Sequence, residues 1–155
     1  MLGDNGWVDR KNGVVTEIRS GVYKNGSTLF DTPALGDSDA IIITGDGDDV
    51  VIGGKGDENI NAGEGNNIVI GDNGTVFGGF GADYALLKAT GLSIIDGEVV
   101  STYPEHYGDD IITTGSGRDI IIGGSGADTP INSGAGDDIV LGDNGWVNFE
   151  NGEVM

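Results

Sequence analysis

The chain has 155 residues, enough for one domain with a core of its own. Its 26 acidic residues against 7 basic ones leave a formal charge of −19, which excludes generic binding to nucleic acid or to an anionic membrane. It has no cysteine, so disulfides and thiolate metal sites are excluded, and no apolar run approaches membrane-spanning length.

In chain order, the first signal is the tetrad GDNG at Gly3–Gly6, which recurs at Gly71–Gly74 and Gly142–Gly145. The spacings are 71 − 3 = 68 and 142 − 71 = 71 residues, and each tetrad is followed by Trp7-Val8, Thr75-Val76 or Trp146-Val147. This predicts a single repeat array over 1–155, made of unit 3–70, unit 71–141 and the start of a third unit at 142–155. The chain begins and ends at the same phase, so it reads as a stretch of a longer tandem array. Met1-Leu2-Gly3 does not open a signal peptide.

Each unit starts with alternating apolar and polar residues broken by turn dipeptides, the pattern of β-hairpins. Asn12-Gly13 and Asn25-Gly26 mark turns in the first unit, Asp96-Gly97 in the second, and Asn151-Gly152 in the third. Trp7 and Trp146 read as covers over the junction between hairpin and repeats. Pro33 and Pro104 mark the return to the repeats. Leu86 to Ala89 is the one stretch with helical propensity and is too short to form a helix, so the whole chain is expected to be all-β.

The second part of each unit is built from nonads. Residues 44–70 read TGDGDDVVI, GGKGDENIN, AGEGNNIVI, and residues 114–141 read TGSGRDIII, GGSGADTPIN, SGAGDDIVL. Glycines at the second and fourth positions (Gly45 and Gly47, Gly54 and Gly56, Gly63 and Gly65, Gly115 and Gly117, Gly124 and Gly126, Gly134 and Gly136) allow a tight turn with positive φ. The sixth residue adds a carboxylate or amide to that turn, and the last three residues form a short strand whose eighth residue points inward (Val51, Ile60, Val69, Ile121, Val140). Two nonads per circuit would stack the strands in parallel, about 4.8 Å apart. Pro130, the extra residue of the fifth nonad, is expected at a bulge or a sheet edge.

Stacking places acid on acid. Asp119 should face Asp138, Asp110 of YGDDIIT should face Asp128, and Asp49 should face Asn67, with Glu58 and Asp39 at the remaining ladder positions. Like charges so close repel unless a cation lies between them. A hard divalent ion with six to eight oxygen ligands, carboxylates mixed with backbone carbonyls, fits: calcium, several ions per chain. Asn67 brings no charge, so its pair should bind more weakly than the two Asp pairs, and Glu58 should reach an ion only through a shifted turn or water. Asp72 and Asp143, with Asp4, are candidate ligands or caps of the last turn. Asp46, Asp48, Glu64 and Asp137 read as solvated.

The pattern GGxGxDxUx resembles the hemolysin-type calcium-binding repeat of secreted RTX proteins. The resemblance covers 44–70 and 114–141. It implies a parallel β-roll, or β-solenoid, here with inserted β-hairpin excursions. It also implies a calcium-binding structural segment of a large secreted or bacterial cell-surface protein, an adhesin or toxin, folding on calcium outside the cell. Its partners would be calcium and neighbouring repeats or end-to-end copies, with no nucleic acid and no membrane insertion by this segment. The alternative is a calcium-supported adhesive module that recognises a ligand with its excursions. Such relatives usually carry a C-terminal export signal, which is not evident here. A further GGxGxD at Gly78–Asp83 is out of phase with the block before it. No catalytic constellation is found: His106 is the single histidine, and the carboxylates stack regularly rather than pairing for acid–base work.

Overall fold

The structure, a computed structural model, describes residues 6–11, 14–20, 41–78, 97–102, 108–150 and 153–155. The turns at Asn12-Gly13, Asn25-Gly26 and Asn151-Gly152 lie outside these residues. So do Asp4, Asp39, Pro33, Pro104, His106, Leu86–Ala89 and all but the first residue of the Gly78–Asp83 motif.

Every regular element among the described residues is a strand. In chain order they are β1 (Gly6–Lys11), β2 (Val14–Ser20), β3 (Ile41–Ile43), β4 (Val50–Ile52), β5 (Asn59–Gly63), β6 (Ile68–Ile70) and β7 (Gly74–Gly78). They continue as β8 (Gly97–Ser101), β9 (Ile111–Thr114), β10 (Ile120–Ile122), β11 (Ile131–Asn132), β12 (Ile139–Leu141), β13 (Trp146–Glu150) and β14 (Glu153–Val154). They form three sheets, of order β12-β10-β6-β4, β11-β9-β5-β3 and β1-β2-β7-β8-β13-β14.

The first two sheets are parallel and the chain visits them alternately, one strand per nonad. Val50 pairs with Ile68 and Ile41 with Asn59, two nonads along, as the period requires. The two blocks of nonads are neighbours in the same sheets, which the sequence did not foretell. Ile68 pairs with Ile120 and Asn59 with Ile111 across an intervening excursion. Six nonads and the segment Gly108–Thr113 thus make one continuous stack.

The fourth turn of this stack is split. Gly71 lies in the glycine column Gly53, Gly71, Gly123, Gly142: a Cβ on any of the first three would strike the carbonyl of the next. Gly108 lies in the column Gly56, Gly108, Gly126 by the same test. One nonad therefore begins at Gly71-Asp72 and is completed at Gly108-Asp109-Asp110. The residues between leave to build β7 and β8 of the third sheet. GDNG is the point of departure.

Two cores result. Ile42, Val51, Ile60, Ala62, Val69, Ile112 and Ile121 fill the space between the two parallel sheets. On the other side of the β4-β6-β10-β12 sheet, Val50, Ile52, Ile68, Ile70, Ile120 and Ile122 pack against Ile18, Val76, Val99, Val147 and Phe149 of the antiparallel sheet. This explains why β4, β6 and β10 are buried at all three positions whereas β3 buries only Ile42.

Some expectations need correction. Val140 pairs in register with the inward Ile121 but is 45% exposed, because β12 is the edge strand at the end of the stack. Trp146 does not cover the junction; it is 71% exposed, and the alternation of β13 turns Val147 and Phe149 inward instead. The antiparallel pairs β1-β2 and β13-β14 match the expected hairpins. The strand after Asp96-Gly97 lies between β7 and β13, as its partners along the sheet. Pro130 precedes the edge strand β11, and its carbonyl accepts from the Ile112 N–H at 3.1 Å.

Candidate metal centres

All the candidate glycines except Gly115 adopt positive φ, between 72° and 158°. Gly115 is required for space: a Cβ there would lie 2.8 Å from the Gly63 carbonyl and 2.9 Å from the Glu64 carboxylate. The turns stack so closely that backbone carbonyls and the carboxylates of Glu58, Asp110 and Asp128 leave no room for a Cβ at Gly53, Gly71 and Gly123.

The sixth-position residues form a ladder on each edge of the stack. On one edge, the Asp49 N–H donates to Asn67 Oδ1 at 3.1 Å, the Asn67 N–H to Asp119 Oδ1 at 2.8 Å, and the Asp119 N–H to Asp138 Oδ1 at 3.0 Å. On the other, the Glu58 N–H donates to Asp110 Oδ1 at 2.8 Å and the Asp110 N–H to Asp128 Oδ1 at 3.0 Å. The three facings expected from the repeat are thus present, and Glu58 and Asn67 join the ladders across the excursion. Glu58 is buried at 3% exposure, so its extra methylene is accommodated inside the turn.

Each ladder bond uses one carboxylate oxygen. The other oxygens of Asp110, Asp119 and Asp128, all Oδ2, are buried without a hydrogen-bond partner, as is Asp72 Oδ1. A buried carboxylate oxygen left unsatisfied costs free energy on the scale of about 1–3 kcal/mol or more. Burial is the first cause pushing all four acids above the ordinary carboxylate range, against the N–H bonds that favour the charged form. Asp110 is pushed up to about 6, and Asp119 and Asp128 upward. For Asp72, pushed up to about 8, the charges of Asp110 and Asp128 add to burial.

Among the described residues, no three His, Cys, Asp or Glu side chains come together as a group that could hold an ion. An ion in these turns would need carbonyl ligands beside the carboxylates, and the glycine columns bring carbonyls close to Asp110 and Asp128. The space is tight. A Cβ on Gly71 would lie 2.1 Å from Asp110 Oδ2 and 2.4 Å from the Gly123 carbonyl. Gly71→Ala should therefore remove the ion beside Asp110 and destabilise the stack by about 1–3 kcal/mol, as overpacking does. Calcium titration and urea unfolding of the variant check both.

Sequence reasoning missed a second, outer ladder made by fifth-position residues. The Asn66 N–H donates to Asp48 Oδ1 and the Arg118 N–H to Asn66 Oδ1; the Asp109 N–H donates to Asp57 Oδ1 and the Ala127 N–H to Asp109 Oδ1. It runs in the opposite sense to the inner ladder. Asp48 is thus a latch and not a solvated acid. Glu64 likewise accepts from the Ser116 N–H at 2.9 Å and from its hydroxyl. The signal was there, as Asp or Asn in the fifth position of successive turns.

Asp72 caps the turn above the split nonad: its Oδ2 accepts the Ser125 N–H at 2.5 Å, and the side chain lies over Gly124. Asp143, its counterpart in the last tetrad, is exposed and faces Asp128 electrostatically.

Comparison with known families agrees with this geometry. A family model described as RTX calcium-binding nonapeptide repeat (4 copies) matches residues 36–69, 52–85 and 107–130. The third match starts where the split nonad resumes. No curated protein and no solved structure matches the chain.

Proposed function

We propose that this chain, whose nonads are RTX calcium-binding repeats, is a parallel β-roll segment of a larger extracellular repeat protein, held together by several calcium ions. The observation that carries the reading is the set of buried Oδ2 atoms of Asp110, Asp119 and Asp128, each turned into a carbonyl-lined turn with no hydrogen bond. Carboxylate and carbonyl oxygens together suit a hard ion of flexible geometry. Asp110, Asp119, Asp128 and Asp138 would supply carboxylates, with Asp49 and Glu58 at the flanking rungs and Asp72 and Asp143 at the departures. When bound, the ion neutralises the stacked acids; the residues themselves align the turns through the two ladders.

The role is structural rather than catalytic. Support for the array comes from strand arithmetic. Unit 3–70 gives two strands to each sheet (β1 and β2, β3 and β5, β4 and β6), and unit 71–141 gives two more to each (β7 and β8, β9 and β11, β10 and β12). All three layers therefore grow in step, and β13 and β14 open the next increment. A following repeat, or a second copy, would add strands at β11, β12 and β14. The excursions bury Val76, Val99, Val147 and Phe149 against the roll, which favours bracing over ligand recognition as their task.

An adhesin or toxin would use such a rod as a spacer that folds where calcium is plentiful. Native mass spectrometry of the chain in calcium should show more than one ion bound. A chain that binds none at millimolar calcium would overturn the reading.

A further inference from the structure

One rung of the ladder differs from the rest. Asn67 is fully buried and stands between Asp49 and Asp119. Its Oδ1 accepts the Asp49 N–H, which fixes the orientation of the amide. Its Nδ2 then donates to the carbonyls of Gly63 and Gly65, both at 3.2 Å. Those are the second- and fourth-position carbonyls of its own turn. In the Asp turns the corresponding side-chain atom is a carboxylate oxygen, and for Asp119 it is buried without a hydrogen-bond partner.

We propose that the Asn67 side-chain amide is a built-in substitute for an ion, so that the turn 62–67 is a calcium-independent rung within a calcium-dependent roll. This rests on the calcium-binding reading above and sharpens it. A carboxylate at this position would turn an acceptor toward two carbonyls and need a cation between them. The amide turns a donor toward them and needs none. The consequence is polarity along the stack: the Asp49–Asn67 edge closes without metal, while the Asp119–Asp138 edge waits for it. Folding then has a preformed seam at 44–67, onto which the later turns add as calcium rises.

Asn67→Asp tests this directly. The variant should bind one more calcium ion per chain than wild type in native mass spectrometry, and should need several-fold more calcium to reach half of its β signal in circular dichroism. An unchanged ion count in a folded Asn67→Asp chain would overturn the inference while leaving the calcium-binding reading intact. A wild-type chain that binds no ion would instead overturn that reading. Should the variant not fold even in saturating calcium, crystals of the wild-type chain soaked in terbium decide. An anomalous peak within bonding distance of Asn67 Oδ1 or of the Gly63 and Gly65 carbonyls would overturn the substitution, and peaks confined to the Asp turns would sustain it.

Discussion

Excess chelator should abolish most of the β signal of this chain, and calcium should restore it cooperatively. The reason is the balance at the inner ladders. The ladders bury Asp110 and Asp119 completely, and each keeps one buried oxygen without a hydrogen-bond partner. Without metal these acids must either stay charged and unpaired or take up a proton, and both cost stability. With metal, each independent site adds about 2.7 kcal/mol at a hundredfold excess of calcium over its dissociation constant. Two or more such sites are comparable with the net stability of a typical domain, roughly 5–15 kcal/mol.

Asp119→Ala removes a ligand and also leaves the Asn67 N–H without its acceptor. It should therefore lose about 2.7 kcal/mol of calcium-linked stability together with about 1–3 kcal/mol for the orphaned donor. Circular dichroism with calcium titration reads both effects. Retention of the full β signal in chelator would sink the mechanism.

How far the sequence carries depends on what sets each feature. The parallel pairing and the three facing pairs were legible because both follow from a strict nine-residue period, which a chain coiling twice per circuit cannot escape. The continuity of the two blocks was not. Nothing in GDNG says that Gly71-Asp72 and Gly108-Asp110 are halves of one turn, since that shows only in space, where Asp110 lies against Gly71 and the halves stack on Gly53, Gly56, Gly123 and Gly126.

The third layer left a readable trace that went unused. Alternate nonads end in VVI, IVI, III and IVL, apolar on both faces, whereas those between end in NIN, IIT and PIN. That alternation marks β4, β6 and β10 as covered on both sides. Val140 was misplaced because period alone does not say where the stack stops. Asn67 was read by charge, as a weaker Asp; its amide hydrogens matter more than its missing charge, and only the positions of Gly63 and Gly65 reveal that.

Less calcium should be needed for folding as the pH falls. In the metal-free fold the carboxyl of Asp72 is pushed up to about 8, chiefly by burial, and that of Asp110 up to about 6, with Asp119 and Asp128 displaced in the same direction. An acid whose pKa is higher when folded binds its proton more tightly in the fold. Its stabilising contribution is complete below the unfolded value near 4 and is lost as pH rises through the folded one. For the metal-free chain that loss runs through about 6 for Asp110 and about 8 for Asp72.

Mild acid should therefore partly restore β structure in chelator, with no metal at all. Calcium needs the same carboxylates deprotonated, so proton and ion compete within the fold, yet each draws the unfolded chain, whose acids titrate near 4, toward that fold. Calcium titrations of the β signal from about pH 9 down to about pH 5 should show the midpoint falling, most once Asp110 takes up its proton in the fold. Asp72→Asn should flatten the upper part of that curve, because it removes the group that titrates near 8 while keeping an acceptor for the Ser125 N–H. A midpoint that climbs on acidification would show that protonation of these acids does not stabilise the fold, and that the orphaned oxygens of Asp110, Asp119 and Asp128 are satisfied in some other way.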